Sequence, residues 1–145
     1  MAFDPENPVV QLLGKAAARE GADPDGAAAA YRRAWEIATD DYERCMAAHY
    51  VAREQASAEE RLRWNAVALD AALLVGDGRV DGFLASLYLN LGRSHEDLGQ
   101  AAGAVAAYAA AREALRDLPA GPYRSSIEDA LARAARRLLQ QGSGQ

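Results

Sequence analysis

The stretch Tyr88 to Ala111, YLNLGRSHEDLGQAAGAVAAYAAA, constrains the fold of this chain more than any other. It sets Leu91-Gly92, Gly99, Ala104, Tyr108 and Ala111 at the spacing of two short antiparallel helices joined by a tight turn at Gly99. Gly92 and Ala104 are small where those helices would cross, so the two backbones can approach closely. Tyr108 and Ala111, three residues apart, share the inner face of the second helix.

The rest of the chain repeats this helical texture. Apolar residues recur at helical spacing between short breaks, with no strand-like alternation. The breaks fall at Gly21–Gly26, Thr39-Asp40, Ser57, Gly76–Gly78, Gly99-Gln100 and Leu118–Pro122. They predict seven helices, over 7–20, 25–38, 41–56, 58–75, 80–98, 101–117 and 122–140. Ser57 with Glu60, and Asp40 with Glu43, have the spacing of capping boxes. Asp23-Pro24 and Gly121-Pro122 each put a proline at a first helical position, where no backbone N–H is needed.

Composition narrows the class. Half of the 145 residues are hydrophobic, only 7% are aromatic, and about a quarter are Ala. Ala favours helix and close packing, but each one buries little area, so stability must come from many small contacts. The expectation is one domain over 1–140 with a frayed tail at 141–145. A net charge of -5 argues against nucleic-acid binding, which needs a basic surface. Cys45 is the single cysteine, so no intrachain disulfide can form and a reducing cytoplasm is expected. The start, MAFDPENPVV, has no signal pattern, and no apolar run reaches the ~20 residues of a membrane span. Every basic residue but Lys15 is Arg, which with the Ala excess suggests a GC-rich bacterial genome.

An internal repeat runs through the chain. Ala17-Ala18-Arg19-Glu20 returns 34 residues later as Val51-Ala52-Arg53-Glu54, and Gly14 is matched by Ala48. Tyr31 and Ala34 return 33 residues later as Trp64 and Val67. Trp64 to Tyr108 is 44 residues, so a third unit carries about ten extra, placed in the Gly76–Gly82 loop and a lengthened helix 80–98. These units resemble the tetratricopeptide repeat, a helix–turn–helix of about 34 residues. The third unit carries the resemblance best. The second departs from it, with Glu60 where a small residue belongs and no Leu-Gly pair in 41–56. The resemblance covers 7–117 and implies an all-α right-handed superhelix of about three helix pairs, with 122–140 as a C-terminal cap.

It also implies a function, that of a protein- or peptide-interaction module without enzymatic activity or cofactor. In the family, the first helix of each pair lines a concave groove. By register, this groove takes Gln11, Lys15 and Arg19, then Tyr42, Cys45, His49 and Arg53, then Ser86, Asn90, Arg93 and Asp97. Some members hold a peptide carboxylate there with Lys, Asn and Arg, and Asn90 stands where Asn fixes peptide backbone. Arg binds carboxylate or phosphate through two parallel hydrogen bonds. The resemblance therefore implies a basic groove for an acidic or carboxylate-bearing partner. The bland alternative is a solvated Arg–Glu surface with weak ion pairs. Two further functions remain open, a self-associating structural subunit built on the apolar 122–140 helix, and a small-molecule-binding accessory of a biosynthetic pathway.

Other chemistry fails on spacing. Cys45 and His49 share a helix face, which is half a zinc site, but no second pair of ligands accompanies them. The Asp77–Gly82 loop has Arg79 where a calcium ligand is needed, and Gly76-x-Gly78 follows no strand. Trp35, Trp64 and Tyr108 read as inter-helix wedges, and Glu96-Asp97 as a solvated acidic pair.

Overall fold

A computed structural model describes residues 4–143, the side chain of Ser143 excepted. Among these residues there are seven α-helices, one 3-10 turn and no strand. The helices are α1 (Pro8–Arg19), α2 (Pro24–Ile37), α3 (Asp41–Arg53), α4 (Ala58–Leu74), α5 (Leu84–Asp97), α6 (Ala101–Leu115) and α7 (Pro122–Ser143). None of the described helices is long and apolar enough to cross a membrane. The chain divides into two compact units, one through Val80 with α1–α4, the other from Asp81 with α5–α7.

Helix starts follow local capping chemistry. Asp23, Asp40 and Ser57 each accept the backbone N–H three residues on, from Gly26 (3.0 Å), Glu43 (2.8 Å) and Glu60 (3.1 Å). The Asp40 box is altered. The Glu43 carboxylate reaches past its cap to the backbone N–H and hydroxyl of Thr39, at 2.8 and 3.0 Å. Its other oxygen accepts from the Asn7 side-chain amide at 2.9 Å. Asn7 itself caps α1, accepting from the N–H groups of Val9 and Val10. Burial raises the Glu43 pKa, but these donors outweigh it and hold the carboxyl below its usual range.

Three boundaries differ from the sequence expectation by three residues or more. α3 ends at Arg53 rather than 56, and Arg61 crosses back to donate to the Gln55 carbonyl at 2.9 Å. α5 starts at Leu84 rather than 80. Gly78 has φ +82°, and Asp81–Phe83 winds as a 3-10 turn, so the inserted residues form loop and turn rather than extra helix. α7 runs to Ser143, three residues past its expected end; Gly144 and Gln145 of the expected tail lie outside the described residues.

In the first unit, α1 with α2 and α3 with α4 form hairpins, and α3 packs on both helices of the first hairpin. Tyr31, Ala34, Cys45, Ala47 and Ala48 are fully buried. Trp35 and Trp64 meet edge to face, 5.1 Å apart, and join α2 to α4. In the second unit, α5 and α6 form the hairpin and α7 packs on both. Its core joins Ala104, Tyr108, Ala111 and Leu115 of α6 to Ile127, Leu131 and Ala134 of α7.

The α5–α6 turn has the expected form. Gly99 takes φ +72° and donates its N–H to the Glu96 carbonyl (3.0 Å), while Gln100 donates to that of His95 (2.9 Å). The close approach at Gly92 is tight. A Cβ there would stand 2.6 Å from Cε1 of Tyr108. Gly92→Ala must displace the Tyr108 ring or part the helices, and we expect it to remove about 1–3 kcal/mol of stability. Gly14, whose Cβ would meet nothing within 4 Å, is the control. Gly14→Ala is expected to be neutral or to add up to about 1 kcal/mol through helix propensity. Urea unfolding followed by far-UV circular dichroism measures both.

Candidate functional site

The second unit is locked at one point. The Glu96 carboxylate, only 6% exposed, accepts the Tyr108 hydroxyl at 2.7 Å and two Arg137 hydrogen bonds, from Nε at 2.7 Å and Nη2 at 3.0 Å. Three helices therefore meet on one carboxylate. The Arg137 hydrogen bonds hold the Glu96 pKa below the usual range against the opposing effect of burial. Burial, then the neighbouring carboxylate, pushes the Tyr108 phenol up to about 12. At neutral pH Glu96 is thus ionised and Tyr108 is a neutral donor. The expectation that Glu96 is solvated is corrected, because its position in the last turn of α5 turns it inward under Tyr108.

Beside this lock lies a cleft of about 190 Å³ between α5 and α7. α5 contributes Leu89, Asn90 and Arg93, and α7 contributes Ala130, Arg133 and Arg137; Tyr108 reaches its wall. Arg93 pairs with Asp97 at 3.3 Å across one helical turn, with both side chains partly solvated, so this pair is weak. Arg133 makes no ion pair among the described residues. Three guanidinium groups face two carboxylates, which leaves the site one positive charge in excess.

The first unit repeats the lock. Glu20, just past α1, accepts the Tyr31 hydroxyl at 3.1 Å and Arg53 Nη2 at 2.7 Å. A hydrogen bond with Glu54 lowers the Glu20 pKa and raises that of Glu54. Burial, then Glu20, pushes Tyr31 up to about 12. Glu20 and Glu96 are 76 residues apart, Tyr31 and Tyr108 77, Arg53 and Arg137 84. A smaller cleft of about 80 Å³ lies here between α1 and α3, lined by Val10, Leu13, Gly14, Met46 and Tyr50. In this register Gly14, Ala17 and His49 stand where the second unit has Asn90, Arg93 and Arg133. The first cleft is apolar and the second cationic.

The expected groove residues divide into three sets. Asn90 and Arg93 come together in the cleft, with Asp97 on Arg93. Ser86, one turn earlier, hydrogen-bonds the Tyr123 hydroxyl of α7, so α7 lies along the α5 face expected to be open. Tyr42 and Cys45 are buried and offer a partner no side-chain surface. The Arg79 guanidinium stacks 4.3 Å from the Tyr42 ring, and the Tyr42 hydroxyl accepts the Asp4 N–H. Burial pushes the Cys45 thiol up to about 12, so it stays protonated. The His49 ring packs against Tyr50, and burial, then Arg53, pushes its pKa down to about 4. Arg53 is committed to Glu20. Lys15, Arg19 and Gln11 are exposed on α1, and Gln11 donates to the Pro5 carbonyl.

The sequence reading missed Arg133 and Arg137. Their signal was present, since they repeat the His49/Arg53 spacing of four residues on α7, a helix read only as a cap. Among the described residues no group of three His, Cys, Asp or Glu side chains is placed to hold a metal. No family model, curated protein or solved structure matches this chain.

Two outcomes follow for stability. Arg137→Ala strands a buried carboxylate and is expected to cost about 3 kcal/mol. Arg53→Ala breaks a pair whose Arg side chain is 48% exposed, and is expected to cost about 1 kcal/mol or less. Urea midpoints of the two variants check the ranking. For His49, the folded pKa lies below the unfolded 6.5, so the unfolded chain binds the extra proton. Stability should fall as pH drops from about 6.5 toward about 4, by at most about 3 kcal/mol. The His49 ring protons should not titrate in an NMR series until pH approaches 4, and His49→Gln should flatten that part of the stability profile.

Proposed function

We propose that the chain is a non-enzymatic protein- or peptide-interaction module, an adaptor or regulatory partner in the bacterial cytoplasm. In this reading it is a right-handed superhelix of three tetratricopeptide-like hairpins with α7 as the C-terminal cap. The observation that supports it is the duplicated Glu–Tyr–Arg lock. In each copy the carboxylate ends the first helix of a hairpin, the tyrosine sits on the second, and the arginine comes from the helix that follows. A lock that recruits the next helix is what stacking of successive hairpins requires. The α5 side of the second unit, with Asn90 and Arg93, is the surface this reading assigns to an acidic or carboxylate-bearing segment of the partner.

The test is capture of a partner from the native host by the tagged full chain, beside Arg93→Glu and, as control, Arg116→Glu. Arg116 is exposed and, among the described residues, pairs only with Glu113 across one turn. A partner depleted at least about tenfold by Arg93→Glu and retained by Arg116→Glu supports the reading. A partner held equally by all three moves the interface away from α5.

A second reading, self-association, rests on a separate observation. Val105 and Leu139 are 56% and 73% exposed beside Leu138 on the α6–α7 side. A mass in solution that stays monomeric across a hundredfold concentration range would remove it.

A further inference from the structure

The two tryptophans of the chain do more than join α2 to α4. We propose that they form a docking site for a proline-rich segment of a partner, held in the extended polyproline conformation. Arg32 and Trp35 of α2 and Arg63 and Trp64 of α4 carry the site, beside Glu36 and Glu60, around a cleft of about 390 Å³. None of these residues belongs to the groove that the repeat resemblance implies, and all of them lie in the first unit. The site is separate from the α5 surface proposed above and does not rest on it.

The first argument is a comparison within the chain. Tyr31, Trp64 and Tyr108 hold the same place, about two turns into the second helix of a hairpin. Both tyrosines are buried, and each spends its hydroxyl on a carboxylate of its own hairpin. Trp64 is only partly buried, as is Trp35, and both line an open cleft. Packing covers the ring at that place in two hairpins, whereas in the middle one it leaves an indole open.

The second argument is hydrogen bonding. Among the described residues, neither indole N–H has a partner, and the Arg32 guanidinium makes no hydrogen bond or ion pair. Both group types donate and do not accept. The neighbouring polar groups are engaged. Glu60 accepts from Arg63 Nε at 3.2 Å and Nη2 at 2.7 Å, and the Gln55 amide donates to the Val51 carbonyl at 3.1 Å. The cleft thus offers unused donors beside aromatic surface. A polyproline segment offers the complement, with apolar rings, carbonyls that make no internal hydrogen bonds, and no N–H at its prolines.

The third argument excludes other occupants of an aromatic corner. Arg63 already lies over Trp64, its Cζ 4.9 Å from the ring centre, so the place of a cationic ligand is filled from within the chain. The two indoles meet at 88° with centres 5.1 Å apart, which leaves no parallel gap between them for a flat ring. Arg32 and Arg63 balance Glu36 and Glu60, so the walls are neutral overall and match a neutral segment. Aromatic-lined grooves suit proline-rich segments in particular, because the preformed helix has little entropy to lose on docking. The cleft volume falls within the range of about 300–1,000 Å³ usual for binding clefts.

The experiment titrates the isotope-labelled full-length protein and follows the indole N–H resonances of Trp35 and Trp64 by NMR, at constant ionic strength and pH 7. The probes are acetyl-hexaproline amide, a glycine–serine hexapeptide blocked in the same way, tetramethylammonium chloride and adenosine. Acetyl-hexaproline amide should shift both resonances and bind at least about tenfold more tightly than the glycine–serine peptide. Arg32→Ala should weaken it by about tenfold or more, while Arg116→Ala leaves it unchanged. Arg32 is exposed and unpaired, so Arg32→Ala is expected to fold, and unchanged circular dichroism checks this. Trp35→Phe keeps an aromatic ring but removes a donor, and should weaken binding by about threefold to tenfold, with Trp64 still reporting. Equal binding of the two peptides, or no effect of Arg32→Ala, would overturn the proposal. Tighter binding of tetramethylammonium would replace it with a cation cage, and tighter binding of adenosine with a flat-ring site. A captured partner lost in Arg93→Glu, with no binding of acetyl-hexaproline amide, would keep the α5 surface and remove this site. Binding of acetyl-hexaproline amide in a chain whose partner is retained by Arg93→Glu would do the reverse.

Discussion

A tyrosine buried between helices needs a partner for its hydroxyl, and in this chain that need organises both units. The Tyr108 ring lies against Gly92, where no other residue would leave room, and its hydroxyl reaches Glu96. A carboxylate drawn that far inside is tolerable only with a cation beside it. α7 supplies Arg137, and the position of α7 is thereby tied to the α5–α6 hairpin. Tyr31, Glu20 and Arg53 solve the same problem nearer the surface in the first unit. Ala-rich helices have little area with which to fix a neighbour's orientation, so a three-membered polar contact that accepts one geometry complements the many small apolar ones.

The charge of the chain is distributed in keeping with this. Most of its ion pairs lie within one or two helical turns and are well solvated, as between Arg33 and Glu36, Arg63 and Glu60, or Arg124 and Glu128. Such pairs contribute little to stability. The cleft between α5 and α7 departs from that pattern, because its arginines outnumber the carboxylates at hand. An acidic protein thus carries a local cationic site, which its net charge of -5 conceals.

Much of the helical framework was legible in the residues. Period and breaks located all seven helices, and the caps at Asp23, Asp40 and Ser57 formed because they depend only on neighbours in sequence. The close approach of α5 and α6 at Gly92 was legible for the same reason, since both helices lie within one hairpin. What escaped was non-local. A helical register places Tyr42, Cys45 and His49 on a face, but it does not say that Tyr42 and Cys45 are buried by the rest of the unit. Asn7 bonding Glu43, 36 residues away, could not be read from either residue alone. Glu96 looked like surface because Arg137, which draws it inward, lies 41 residues on in a helix read only for its apolar stripe. Residues 80–83 looked like the start of a helix because apolar Val80 and Phe83 continue the period, whereas Asp81–Phe83 winds as a 3-10 turn.

The edge-to-face contact of Trp35 and Trp64 has a spectroscopic consequence. Both tryptophans belong to the unit that ends at Val80, and the unit from Asp81 onward contains tyrosine but no tryptophan. Indole emission therefore reports on the unit that holds both tryptophans, while far-UV ellipticity registers every helix. Superimposable melting curves by the two signals would mean that the units unfold as one cooperative body. Separated curves would assign each transition to its unit without labels or truncation, because the chain already carries its reporter on one side only.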